Sequence, residues 1–382
     1  MSRVGQEPIA IDYMPWADLK EELTVGPVSF WPFHSKAEEK IPDPEVRTDL
    51  ARFFEAFVDN ADRPIGSIVA CSCGPVEFRA FTDEELNSIR AAADCLVFAT
   101  ITSGTKNAVC ADNNSMVPPS ADRFDLCARW IWPMQGGLVV GTERSLHGWG
   151  QGKCRIRPPI SVGGQFVGQY EPLLEGLGRA FDHAFPRDVR ERLFRSLEWF
   201  WFAHTESTAV SWIHKVMMMT TAFEILLEFP ERGQTVYFAE QVDRSLRLPD
   251  SNLSKRSDGK GNKYEACLAA WWAKDFYDLR SRIAHGSRVT AADLKYKDWM
   301  DQLVVADLVL MDLVKRLLYE HHCLGDPLRE CSAAAAIEFG GTQDEAEKAW
   351  LPTLLGLDLR GVHEALGWVP SRCEEMNEGP NG

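Results

Sequence analysis

The hydrophobic pattern of this chain changes character near residue 170, and that change constrains the fold more than any other feature. Before it, short apolar runs are broken by Gly, Pro and Trp, as in RFDLCARWIWPM, GLVVGTER and CRIRPPISV. Runs this short, rich in β-branched and aromatic residues, suit strands. After it, apolar residues recur every three or four positions over long stretches with few breakers, the period of an amphipathic helix. The expectation is an α+β protein: a mixed α/β domain over residues 1–170 and an all-α helical bundle over 171–325. A tail over 326–382 carries one short helix, opened by the capping box Thr342-Gln343-Asp344-Glu345. The 382 residues suffice for two or three domains.

Within the first part, Pro64–Phe81 shows β-branched alternation bounded by Pro and Gly, a strand or hairpin signal. Thr82-Asp83-Glu84-Glu85 is a capping box that opens a helix through LNSIRAAADCLVFATI. In the second part, PRDVRERLFRSLEWFWFAH begins with Pro186 at a first helical turn, and STAVSWIHKVMMMTTAFEILLEF runs to Pro230. SNLSKRSDGKGNK reads as a polar loop. Two further helices follow, one over KYEACLAAWWAKDFYDLRSRIAH and one over about Ala291–His321.

Charge narrows the function classes. Lys and Arg total 41 against 56 Asp and Glu, a net −15, which disfavours a protein that coats DNA but leaves room for a local basic site. The most apolar stretches are interrupted by His214, Lys215 and Glu224, and by Asp307 and Asp312, so no membrane partner is expected. With no secretory signal and ten scattered cysteines, the reading is a cytoplasmic protein with reduced thiols. Cys71-Ser72-Cys73, even with His147, Cys154 or Cys127, lacks the Cys-x-x-Cys spacing of zinc sites, and His321-His322-Cys323 reads as capping and packing. No metal and no cofactor are expected. Gly148–Lys153 falls short of a phosphate loop, because His147 takes the first Gly position and Cys154 the Ser/Thr position.

Chemistry gathers at the end of one helix. Over Lys263–Gly286, Leu268, Trp271, Trp272, Phe276, Leu279 and Ile283 form the buried stripe, and Gly286 suits the left-handed stop after the last turn. Arg280, Ser281, Arg282 and His285 flank that stripe near its end. Ser281 and His285, four apart, share a surface that the long Arg280 side chain can reach. A guanidinium for the phosphate and an imidazole for proton transfer are what phosphodiester cleavage needs. A helix end dressed with surface charges has the same spacing. From Lys255 to Lys297 ten basic residues face five acidic ones, and Lys274, Arg282 and Arg288 are the candidate RNA-binding cations. A solvated loop and helix face would give the same count.

Phe276-Tyr277-Asp278-Leu279-Arg280-Ser281-Arg282-Ile283-Ala284-His285-Gly286 resembles the Arg…His signature of the HEPN superfamily, and more specifically its Apea-like branch. The upstream run Phe223-Glu224-Ile225-Leu226-Leu227-Glu228 is similar to the helix that precedes the catalytic one there. The resemblance covers about residues 185–325. It implies a metal-independent endoribonuclease of phage defence or growth arrest, acting as a homodimer that brings two Arg…His pairs together. It implies Arg280 as phosphate clamp and His285 as general acid or base. Ser281 occupies the polar position after the Arg, where many active members carry Asn, Asp or His. Glu224 either orients a cation of the site or forms a structural salt bridge, and Tyr277 reads as packing rather than catalysis. The alternative is a non-catalytic HEPN scaffold that binds RNA, a nucleotide or a protein partner. The N-terminal domain would then sense an unknown trigger or select the substrate.

Overall fold

Near the N-terminus, short segments pair into a sheet: β1 (Asp12–Met14), β2 (Leu23–Val25) and β3 (Val28–Pro32). Two helices follow, α1 (Phe33–Lys40) and α2 (Pro44–Glu55), the latter capped by the Asp43 carboxylate and opened by Pro44. After β4 (Phe57–Val58) comes β5 (Val69–Ser72), which completes an antiparallel sheet of order β1-β5-β3-β2. The β2–β3 turn is Gly26-Pro27, with Gly26 at a φ of +58°. A Cβ on Gly26 would lie 2.4 Å from Cγ of Phe181, so both backbone and space demand glycine there.

The long helix α3 (Asp83–Cys110) starts at the expected capping box: Thr82 N–H donates to Glu85 Oε2 at 2.8 Å and Glu85 N–H to Thr82 Oγ1 at 3.2 Å. Then β6 (Trp130–Met134), β7 (Gly137–Gly141) and β8 (Leu146–Trp149) form an antiparallel sheet, and β9 (Cys154–Arg155) pairs in parallel with β4. α4 (Glu171–Arg179) follows. The core between the first sheet and α1–α2 is aromatic: Phe33 and Phe54 meet edge to face at 4.5 Å, and Tyr13 and Phe54 at 5.0 Å.

The helical part contains α5 (Arg187–Ala203), α6 (Trp212–Leu226), α7 (Gln234–Leu246), α8 (Leu268–Ala284) and α9 (Gln302–Glu320). Two hairpins, β10 (Leu253–Ser257) with β11 (Lys263–Cys267) and β12 (Lys295–Lys297) with β13 (Met300–Asp301), correct the helix bounds read from sequence. The expected polar loop is half strand, and Lys263–Cys267 is strand rather than helix because it pairs antiparallel with Leu253–Ser257. α9 likewise begins at Gln302, not near residue 291, since a short turn and the second hairpin precede it. α9 is buried around most of its circumference, and Thr105 Oγ1 donates to the buried Asp307 at 3.3 Å. Trp368, from the tail, is buried against Trp272 and gives its indole N–H to the Tyr296 hydroxyl at 2.7 Å.

The fold is thus α+β in a computed structural model describing residues 7–110, 120–126, 130–134, 137–141, 146–149, 153–156, 158–159, 171–207, 210–247, 253–257, 263–297, 300–324, 363–364 and 366–368. It divides into one unit of residues 1–101, 117–187 and 204–208 and another of 102–116, 188–203 and 209–382. The expected helix at Thr342 lies outside the described residues. Among the described residues no helix is long and apolar enough to cross a membrane.

Candidate active site

The end of α8 is fixed by its own backbone. Gly286 N–H donates to Ile283 O at 3.0 Å and Ser287 N–H to Arg282 O at 2.9 Å, with Gly286 at a φ of +71°. This is the paired closure that a left-handed residue permits after a helix. A Cβ on Gly286 would meet nothing within 4 Å, so the position demands a conformation rather than room. The closure leaves His285 exposed as the C-cap residue just past the helix, and its imidazole has no hydrogen-bond or ion-pair partner among the described residues.

One turn earlier, Arg280 is held from the side. Its Nη2 lies 3.2 Å from Glu224 Oε1, and its guanidinium carbon sits 5.5 Å from the centre of the Tyr277 ring. Tyr277 donates its hydroxyl to the same Glu224 oxygen at 2.7 Å. That hydroxyl also stands 2.6 Å from Gln234 Oε1. Burial first, and then the bond to Glu224, push the Tyr277 phenol well above its ordinary range. It stays protonated at neutral pH and acts only as a hydrogen-bonding group. Arg280 makes one ion pair, and its other N–H groups have no partner among the described residues.

Local folding brings these four side chains together. Glu224 lies in the last turn of α6, where Phe229 N–H donates back to Glu224 O at 3.1 Å and closes the helix. That turn carries the Phe229 ring to 5.5 Å from Tyr277. Tyr237 on α7 donates its hydroxyl to Leu227 O at 3.0 Å, which pins the start of α7 beside the same turn. Gln234, the first residue of α7, thereby reaches Tyr277. Its role had no sequence signal, because α7 stood out by no motif and a single Gln after Gly233 belongs to no pattern.

The remaining candidates separate from this group. Ser281 is half-buried on α8, and its hydroxyl has no partner among the described residues. Lys274 pairs with Asp278 at 2.7 Å, and Arg282 with Asp293 at 2.8 Å. The Arg282 guanidinium, with two hydrogen bonds from Thr290, holds the Asp293 carboxyl well below its usual range. Lys255, Arg256 and Lys295 pair with Glu265, Asp275 and Asp301. The basic stretch is therefore largely a set of ion pairs, and Arg288 is exposed without an ion pair among the described residues. Only the Lys274–Asp278 pair, at four-residue helical spacing, could have been read in advance.

Several of the described cysteines have raised thiols. Burial raises the Cys71 thiol and pushes Cys73 up to about 11 and Cys267 up to about 12, so none is a thiolate at neutral pH. Among the described residues no group of three or more His, Cys, Asp or Glu side chains is arranged to hold a metal ion. Comparison of the chain with protein-family models, curated proteins and solved structures gives no match in any of the three.

Proposed function

We propose that this chain is a metal-independent endoribonuclease of the HEPN type, with Arg280 as phosphate clamp and His285 as proton carrier. The observation that carries the reading is the pairing of an open guanidinium with an exposed imidazole at one helix end. Arg280 is aimed by Glu224 and Tyr277 through one edge only, so N–H groups remain for a phosphate's non-bridging oxygens. The 2′-hydroxyl of RNA is the nucleophile, already held near its own phosphorus. One His285 takes the 2′-proton as the oxygen bonds to phosphorus. The phosphorus–O5′ bond breaks, and a second copy of His285 gives the 5′-oxygen its proton. Two imidazoles require two chains, so the 275–290 segments face each other in a homodimer. Growth arrest or phage defence fits such an activity, with the N-terminal unit as the sensing or selecting part.

Purified protein in EDTA should cut RNA, leave 2′,3′-cyclic phosphate and 5′-hydroxyl ends, and spare DNA. A magnesium requirement would show that the chemistry is different. Full activity from a strictly monomeric species in light scattering would remove the two-chain arrangement. Ser281 at the position after Arg280 and the net charge of −15 favour one second reading, a non-catalytic scaffold that binds RNA, a nucleotide or a protein partner. RNA bound and recovered with intact ends would establish it.

A further inference from the structure

Gln234 stands at the head of the polar chain that aims Arg280, and the proton count along that chain assigns it a task. The Tyr277 hydroxyl has one proton, yet it lies 2.7 Å from Glu224 Oε1 and 2.6 Å from Gln234 Oε1. It cannot donate to both oxygens. The two ends of a Gln amide have the same shape, so turning the amide to present its NH2 frees the Tyr277 proton for Glu224 alone. Gln234 then donates to the Tyr277 oxygen, Tyr277 donates to Glu224, and Arg280 keeps its ion pair with that same Glu224 oxygen. Without a donor from Gln234, the Tyr277 proton is shared between two acceptors. Glu224 then draws further N–H groups from Arg280, and the open edge of the guanidinium closes.

We propose that Gln234 is a positioning residue: through Tyr277 it keeps Glu224 in a single one-edged ion pair with Arg280, leaving the rest of the guanidinium open for a phosphate oxyanion. The inference rests on the RNA-cutting reading, and it deepens that reading by making oxyanion affinity depend on a residue that never touches the substrate.

Two substitutions test it. Gln234→Glu keeps the shape and replaces a donor by an acceptor, while Gln234→Leu removes both. In protein isotope-labelled at tyrosine Cζ, the Tyr277 signal is identified by its loss in Tyr277→Phe. It should move in both Gln234 variants while circular dichroism stays unchanged; a signal unmoved in both overturns the network. Affinity for an uncleavable 2′-O-methyl RNA should fall about tenfold in Gln234→Glu near neutral pH, the worth of one charge-assisted hydrogen bond. Relative to the parent protein at each pH, that deficit should shrink as pH falls toward about 5, where the introduced carboxyl regains a proton to donate. A deficit equal at both pH values, or no deficit, overturns the positioning role. If the parent protein neither binds nor cuts RNA, the RNA reading fails, and the tyrosine signal still decides whether Gln234 sets the Tyr277 proton.

Discussion

Two arginine–carboxylate pairs in this molecule have nearly the same exposure and opposite geometry. At the start of α3, Arg79 closes a fork on Glu85, with Nη1 and Nη2 each 2.6 Å from one of its oxygens, while Nε reaches Glu77 and Nη1 the Ala80 carbonyl. At the end of α8, Arg280 touches Glu224 through one nitrogen at 3.2 Å. The arginine side chains are 32% and 27% exposed and both glutamates 20%, so burial does not separate the two pairs. Donor use separates them. A guanidinium whose donors are consumed by its own neighbourhood braces a helix start, and one held by a single edge retains capacity for a ligand.

The largest expected effect lies beside the open pair. His285→Ala should slow RNA cleavage by about 10²–10⁴-fold, the usual worth of general acid–base help, with thermal unfolding unchanged because the imidazole is exposed. Next come matched substitutions at the two arginines. Arg280→Lys keeps the charge but loses the planar fork, and kcat/KM should fall roughly 10–100-fold with little change in unfolding. Arg79→Lys should do the reverse, leaving cleavage intact and lowering stability by about 1 kcal/mol in denaturant unfolding. Equal effects of the two changes on cleavage would erase the distinction.

Smaller effects sharpen it. Gly286→Ala should destabilise by about 1–2 kcal/mol through its left-handed backbone alone, since its Cβ has space, and should reduce cleavage by displacing His285. The closed pair also has a pH signature. Arg79, followed by the Thr82 backbone N–H, draws the Glu85 carboxyl down to about 2. Because the folded value is depressed, its stabilisation is fully present above the ordinary carboxylate range and is lost as pH falls toward about 2. Amide exchange at the first turn of α3 should stay protected through mildly acidic solution, and in Arg79→Ala that protection should fail at higher pH.

Legibility in the sequence followed local periodicity. The α8 stripe was readable because Trp271, Trp272, Phe276 and Leu279 repeat at helical spacing, and all four are buried. The capping box at Thr82 was readable because its two partners are three residues apart. The strand β10 was not, since Ser254, Lys255 and Arg256 are polar and become a strand only by pairing with Ala266, Glu265 and Tyr264. β5 was readable, since it lies within Pro64–Phe81, whereas β1 was hidden for the opposite reason: all its residues are buried, so it shows no alternation of a half-exposed strand. At the site, Arg280, His285, Glu224 and Tyr277 could be named from motif and spacing. The one-sided hold on Arg280, the part played by Gln234 and the pairing of nearby cations arise from contacts between α6, α7, α8 and the hairpins. No local pattern encodes them.

The most direct test of the account is to sequence RNA ends from cells expressing the parent protein and, in parallel, His285→Ala at equal abundance. The account predicts new 5′-hydroxyl ends, matched by 2′,3′-cyclic phosphates, that accumulate with the parent chain and vanish with the variant. Identical end profiles from the two, or new ends that persist without His285, would contradict it.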